Sequence, residues 1–224
     1  MKNRRILIAL LFVMTLAFAQ AQPKEFKTTD HYIFNTITVE EIAASLPDKP
    51  IVIGLDVDDT VLMSSPGFYY AVNNTDGPNK TNIYGERPLN NEQFWIDMSS
   101  KYDKFSMPKH AARKILEMHN KRGDKIYFIT ARPAIKGEIL TEILHRTFNL
   151  KNQPPVIFSG KTPKSEFITK HGISIFYGDA DSDVQAAFEA GIRAIRVMRS
   201  PISTNYGKYQ PGHFGEFVLE NSEN

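Results

Sequence analysis

The chain has no cysteine among its 224 residues. That excludes disulfides, thiolate zinc sites, a thiol nucleophile and a lipid-modified N-terminal cysteine, and it suits an oxidising compartment. A surplus of one charge is also missing, since 27 Lys and Arg face 25 Asp and Glu. Three of those positives, Lys2, Arg4 and Arg5, crowd the N-terminus, and without them 24 basic residues face 25 acidic ones. Nucleic-acid binders show a basic surplus, so no nucleic-acid polymer is expected as partner. The six histidines show no metal-ligand spacing, and His110, His119 and His145 read as exposed or core-edge positions on predicted helices. No apolar run reaches the ~20 residues of a membrane span. The run from Ile6 to Phe18 follows the charged start and precedes Ala19-Gln20-Ala21, an A-x-A cleavage site. Residues 1–21 therefore read as a secretory signal, with Gln22 opening a mature chain that needs no membrane.

What is present fits a soluble domain: 42% apolar and 23% charged residues, enough for one core over 22–224. Residues 22–37 read as an irregular arm. Thr38 with Glu41 forms a capping box for a helix to about Leu46, which Pro47 and Pro50 end. Ile51–Leu55 is apolar without alternation, as in a central strand buried on both faces. Residues 63–105 break the pattern with turn signals and many aromatics, and read as a small cap-like insertion over the site, with one helix over 91–100. Alternation then resumes. A helix capped by Ser106, with Pro108 in its first turn, stops at Gly123; strands follow at 125–129, 156–158, 174–177 and 193–197. Between them lie helices over 135–148, from Thr162-Pro163 to Gly172, and over 182–190. Five strands alternating with helices predict an α/β, doubly wound parallel sheet. The aromatics after Ser200 (Tyr206, Tyr209, Phe214, Phe217) predict that the tail packs on the body or on another subunit.

Ligands of such sheets bind beyond the C-terminal strand ends. Four polar clusters fall there: Asp56, Asp58 and Thr60; Thr130 and Arg132; Lys164; and Asp179, Asp181 and Asp183. Carboxylates packed together oppose folding unless a cation joins them. Mg²⁺ with a phosphate group answers that need, because it takes oxygen ligands from one or two carboxylates plus substrate. Asp56, at the strand end, is placed to attack phosphorus and form an acyl phosphate. Asp58, two residues on, can protonate the leaving oxygen and then deprotonate water. Asp56 and Asp179 can offer side-chain oxygens to the metal, Thr130 and Lys164 can hold phosphoryl oxygens, and Asp183 can orient Lys164 or a metal-bound water. Lys164 sits in the first turn of its helix, where the dipole disfavours a cation unless an anion is beside it. Blander roles compete at several positions. Asp181 and Ser182 read as helix N-caps, Asp59 as solvated or bonded to loop amides, and Arg132 as a surface arginine or a phosphate contact. The expected substrates are small phosphomonoesters such as nucleotides.

The segment Asp56-Val57-Asp58-Asp59-Thr60-Val61-Leu62 resembles the first motif of the haloacid dehalogenase superfamily, and Thr130, Lys164 and Gly178-Asp179 to Asp183 resemble the other three in order. "LDVDDTVLMSSPGF" and "FYGDADSD" look like the class B bacterial acid phosphatases, as do "FWIDM", "SMPKHAARKILEMHNKRGD" and "HFGEFV". The resemblance covers roughly 38–216. It implies a haloacid dehalogenase-like, Rossmann-like fold and a periplasmic, Mg²⁺-dependent phosphomonoesterase that also transfers phosphoryl groups to alcohols, as a homotetramer. It implies Asp56 as nucleophile, Asp58 as acid/base, and Asp56, the Asp58 backbone carbonyl and Asp179 as metal ligands. It maps an aromatic substrate pocket onto Phe68, Trp95 and Tyr206, where Phe68 and Trp95 could equally be core of the insertion. The second motif departs from the family's Thr-Gly-Arg: here it is Thr130-Ala131-Arg132, which adds a methyl beside the phosphate loop. A class C type phosphatase, a dedicated phosphotransferase and a non-catalytic phosphate-binding protein are the alternatives.

Overall fold

The computed structural model describes residues 35–224, so the signal segment and the arm up to residue 34 lie outside the described residues. Seven strands form one parallel sheet: β1 (Thr36–Ile37), β2 (Val52–Leu55), β5 (Lys125–Thr130), β6 (Ile157–Phe158), β7 (Ile175–Gly178), β8 (Arg193–Arg196) and β9 (Phe217–Leu219). A separate antiparallel ribbon pairs β3 (Leu62–Met63) with β4 (Met107–Pro108). The helices are α1 (Val39–Ser45), α2 (Ser65–Val72), α3 (Glu92–Ser100), α4 (His110–Arg122), α5 (Leu140–Thr147), α6 (Lys164–Lys170) and α7 (Asp181–Glu189).

The central strands are apolar throughout because each face feeds a different core. Ile53 and Leu55 of β2, Ile126 and Phe128 of β5, and Ile175 and Tyr177 of β7 face one cluster, with Ile42 of α1, Ile115 of α4 and Leu144 of α5. Tyr127, Ile129 and Phe176 alternate to the other face, against Ile168 of α6 and Val184 of α7. Each such side chain, fully buried, contributes roughly 1.5–3 kcal/mol, and no polar face is left on the sheet's centre. The strand order is β1-β9-β8-β7-β2-β5-β6. The chain leaves β2 toward β5 and β6, then returns to β7 on the other side. The crevice where the order reverses therefore opens at the end of β2, directly before Asp56.

Several boundaries depart from the sequence reading. Two edge strands join the expected five, because β1 and β9 pair with each other and β9 continues onto β8. The arm is thus extended, not irregular, at its end, and the tail is part of the sheet. Ser106 caps no helix: Met107 and Pro108 pair across the ribbon, so α4 starts at His110 with Lys109 at its N-cap. The helix expected from 135 begins at Leu140, after Gly137 turns the chain in a left-handed conformation (φ 80°). The α1 capping box forms as read, with the Thr38 side chain and Glu41 bonded reciprocally. The insertion, closed at its base by the ribbon, has its own small core of Ala71, Tyr84, Phe94 and Met98, with Phe68, Trp95 and Tyr102 packed on it.

Candidate active site

The β2 ladder runs one residue further, with the Asp56 N–H donating to the Tyr177 carbonyl at 2.9 Å. This fixes the backbone that aims the Asp56 carboxylate at the crevice. The chain then turns tightly: Val61 and Leu62 both donate to the Val57 carbonyl, and Asp59 adopts φ 61°. Asp is among the few residues that tolerate that conformation. On the neighbouring strand, Gly178 lets α7 fold back closely, since a Cβ there would collide with the Cβ of Asp183.

These turns bring together the carboxylates of Asp56, Asp179 and Asp183, whose oxygens lie within 4.8 Å of one another, all buried. Lys164 Nζ bridges two of them, 2.5 Å from Asp56 Oδ1 and 2.7 Å from Asp183 Oδ1. The Thr60 hydroxyl lies between Asp179 and Asp56, 3.1 Å from Asp179 Oδ1 and 3.3 Å from Asp56 Oδ2. Asp183 also accepts from the Ala180 N–H at 3.1 Å, so it both caps α7 and holds Lys164. Ala180, not Asp181 or Ser182, is the N-cap. Asp181 instead accepts from the Gln210 N–H at 2.8 Å and pairs with Arg196.

Asp58 lines the same crevice but bonds outside this cluster. Its carboxylate receives a fork from Arg132, with Nε at 2.9 Å and Nη2 at 2.6 Å, while Nη1 of the same arginine reaches Asp103 at 2.7 Å. Arg132 is 2% exposed, so it is no surface residue, and its donors serve carboxylates of the catalytic loop and of the insertion. Thr130 is buried and donates to Asp58 at 3.4 Å. Ala131 lies outside the left-handed region, so its methyl adds no backbone strain to this loop.

The electrostatics divide the two motif aspartates. Burial raises Asp56 well above the usual carboxylate range; Lys164 pulls it down, and Asp183, Asp179 and Asp58 push it up again. Asp179 is raised to about 6 by burial and Asp183, against Arg199. Burial acts upward on Asp58 too, but the Arg132 charge and hydrogen bonds override it and hold Asp58 low. Three clustered carboxylates have two cations, Lys164 and Arg199, in direct contact. The pit is short of positive charge, and its donors are all oxygen. That set fits a small, hard divalent cation.

Three contributors escaped the sequence reading. Arg199 Nε donates to Asp179 Oδ2 at 2.5 Å. Arg196 Nη1 donates to the Asp179 carbonyl at 2.6 Å, with Glu216 closing the other side at 2.8 Å. Lys109, buried, donates from Nζ to the carbonyls of Asp59 (2.8 Å) and Met198 (2.5 Å), and burial lowers it to about 8. Lys109 had a visible signal: like Lys164, it is a cation at the positive end of a helix. Asp59 is neither solvated nor amide-bonded through its side chain; it is 3% exposed and accepts from the Ser203 hydroxyl at 2.7 Å.

The pit floors a cavity of about 1010 Å³, roofed by the insertion. Phe68 and Trp95 line it and also pack on the insertion's core, their rings edge-to-face at 6.0 Å. Tyr206 stands at the rim, 97% exposed. His119, read as exposed or core-edge, is fully buried between Asp124 (2.7 Å) and the Tyr177 hydroxyl (2.8 Å).

Comparison with known proteins agrees with this geometry. The family model for haloacid dehalogenase superfamily subfamily IIIB, acid phosphatases, matches residues 14–208. A class B acid phosphatase of Salmonella arizonae is 42% identical over 194 residues, 84% of this chain and 79% of that one. One of Haemophilus influenzae is 44% identical over 198 residues (83% and 80%), and one of Morganella morganii 40% over 200 residues (87% and 82%). Among solved structures, a haloacid dehalogenase-like family hydrolase of Streptococcus pneumoniae superposes with a TM-score of 0.50 at 14% identity, over 79% of this chain and 96% of that one, a likeness of fold alone.

Proposed function

Because the chain belongs to the class B acid phosphatases of haloacid dehalogenase subfamily IIIB, and so is a phosphatase, we propose that it is a secreted, Mg²⁺-dependent enzyme that hydrolyses small phosphomonoesters, nucleotides included, through a phosphorylated Asp56. The observation that carries this reading is the pit itself, where Asp56, Asp179, Asp183 and Lys164 converge at the foot of an aromatic-walled cavity. The class C and non-catalytic alternatives give way to the class B family.

Asp56 and Asp179, with the Asp58 backbone carbonyl, would hold the metal, and Asp183 would stand beside it. Bound there, the ion screens the repulsion between the attacking carboxylate and the phosphate dianion. The chain's own groups do the rest. An Asp56 oxygen bonds to phosphorus as the ester oxygen departs, leaving an aspartyl phosphate and an alcohol. Lys164, bonded to Asp56 and Asp183, and the Thr130 hydroxyl face the transferring oxygens. Asp58 shuttles one proton, to the leaving oxygen and then from the water whose oxygen attacks phosphorus and frees Asp56. Arg132 keeps Asp58 ionised at rest, so the first proton enters with the substrate. The second pKa of a phosphomonoester is about 6, which makes that supply an acid-side requirement. An alcohol in place of water would give phosphoryl transfer.

Asp56→Asn keeps the shape and removes the nucleophile. It should abolish turnover while circular dichroism and melting temperature stay native-like; phosphomonoester hydrolysis near the parental rate would overturn the mechanism. The charged and apolar N-terminal sequence with its A-x-A site supports periplasmic export, and the family resemblance supports a homotetramer. A secreted form beginning at Gln22, and sedimentation at four chain masses, are the corresponding checks.

A further inference from the structure

The segment from Thr204 to Gly207 forms one wall of the cavity over the pit. Asn205, Tyr206 and Gly207 also line a second cavity of about 960 Å³, so this wall has open space on two sides and little packing behind it. It is held by polar tethers. Ser203 Oγ reaches Asp59 at 2.7 Å, and the Thr204 N–H reaches the Ser65 hydroxyl of α2 at 2.9 Å. A further tether is Arg199, 8% exposed. Its Nη1 donates to the carbonyls of Asn205 (3.1 Å) and Gly207 (2.7 Å), the two neighbours of Tyr206, while its Nε holds Asp179. The guanidinium lies over the Tyr209 ring, 4.7 Å from its centroid, and that tyrosine's hydroxyl accepts from the Arg199 N–H at 3.0 Å. One planar group thus brackets Tyr206 from both sides and is anchored on a carboxylate of the pit.

We propose that Arg199 is a positioning residue that couples the acidic pit to leaving-group selectivity, by holding the Tyr206 wall in place from Asp179. This rests on the proposed reading of Tyr206 as part of the substrate pocket. An exposed aromatic ring at a cavity rim gains when an aromatic or apolar leaving group covers it. It does so only if the backbone carrying it is fixed. Lysine keeps a positive charge beside Asp179 but lacks the fork that reaches a carboxylate and two carbonyls together.

The test is calorimetric titration of the Mg²⁺-loaded protein with phenylphosphonate and methylphosphonate, which share the anion and differ in the group on phosphorus. Arg199→Lys should weaken phenylphosphonate about two- to tenfold more than methylphosphonate. Tyr206→Ala should narrow the same ratio, and the double variant should narrow it no further. Equal weakening of both ligands by Arg199→Lys, or additive losses in the double variant, would overturn the coupling. An unchanged ratio in Tyr206→Ala would overturn the wall reading, and the inference with it. Should Arg199→Lys fail to fold, Tyr209→Leu removes the ring beneath the guanidinium, leaves Arg199 and Asp179 present, and should lower the ratio in the same direction; an unchanged ratio there overturns the coupling.

Discussion

Arg132 illustrates how a single side chain takes its role from its surroundings. Its three donating nitrogens meet Asp58 and Asp103, one from the loop after β2 and one from the insertion; Arg132 and Asp103 are buried, and the Asp58 side chain is 21% exposed. Removing one partner of a buried pair leaves the other charges uncompensated, at about 3–5 kcal/mol. Arg132→Met should therefore destabilise the protein by that order in chemical denaturation, with Arg132→Lys between it and the parent. A loss under about 1 kcal/mol would show that Asp58 and Asp103 find solvent or other donors. Arg132 thereby links the loop after β2 to the insertion. The residue type suggested an anion partner, and only the fold decided which anion.

At the scale of elements, α4 carries a feature that its sequence half reveals. Ala112, Ile115, Leu116 and His119 recur at helical spacing on one buried face, so His119 sits at a core position. Its ring spans from Asp124, at the start of β5, to Tyr177 of β7, with Arg122 also bonded to Asp124. Burial holds His119 below its ordinary value, against the pull of Asp124. Above about pH 6.5 neither folded nor unfolded chain protonates it, and it adds no pH dependence. Below that, the unfolded chain takes up a proton that the folded one refuses, so stability falls with pH. The slope is at most about 1.4 kcal/mol per pH unit, until the folded value is reached. Burial also pushes Asp124 up, but its bonds to His119, the Ile51 N–H and Arg122 hold it low, so its own contribution is lost only at more acid pH. His119→Gln should melt lower at pH 7 yet show a flatter melting temperature between pH 6.5 and 5. An unchanged slope would assign the acid sensitivity to other groups.

For the whole molecule, the decisive quantity is the charge gathered at the switch point. The strand order reverses beside β2, and the pit there has more carboxylate than cation: Asp56 and Asp179 are both raised. A divalent ion bound only by the folded chain stabilises it by about 2.7 kcal/mol at a concentration one hundred times its dissociation constant. Mg²⁺ should therefore raise the melting temperature, a chelator should reverse the rise, and Asp179→Asn should reduce it sharply. A melting temperature indifferent to Mg²⁺ and chelator would remove the metal from the proposed mechanism.

The sequence alone determined the alternation of strand and helix, the break at 63–105, and the four polar clusters, because each is written in contiguous residues. Apolar runs, turn residues and caps act over a few positions, and parallel topology then places every strand's end on one edge. The tertiary structure decided what crosses the chain. It paired β1 with β9 over most of the described length, turned Asp58 to Arg132 and Arg132 to Asp103, and brought Lys109 to the carbonyls of Asp59 and Met198. It also set Arg199 against Asp179. A buried charge must find a partner, but its own sequence neighbourhood does not say which. The choice is made by whichever opposite group the packing of distant segments brings within hydrogen-bond reach.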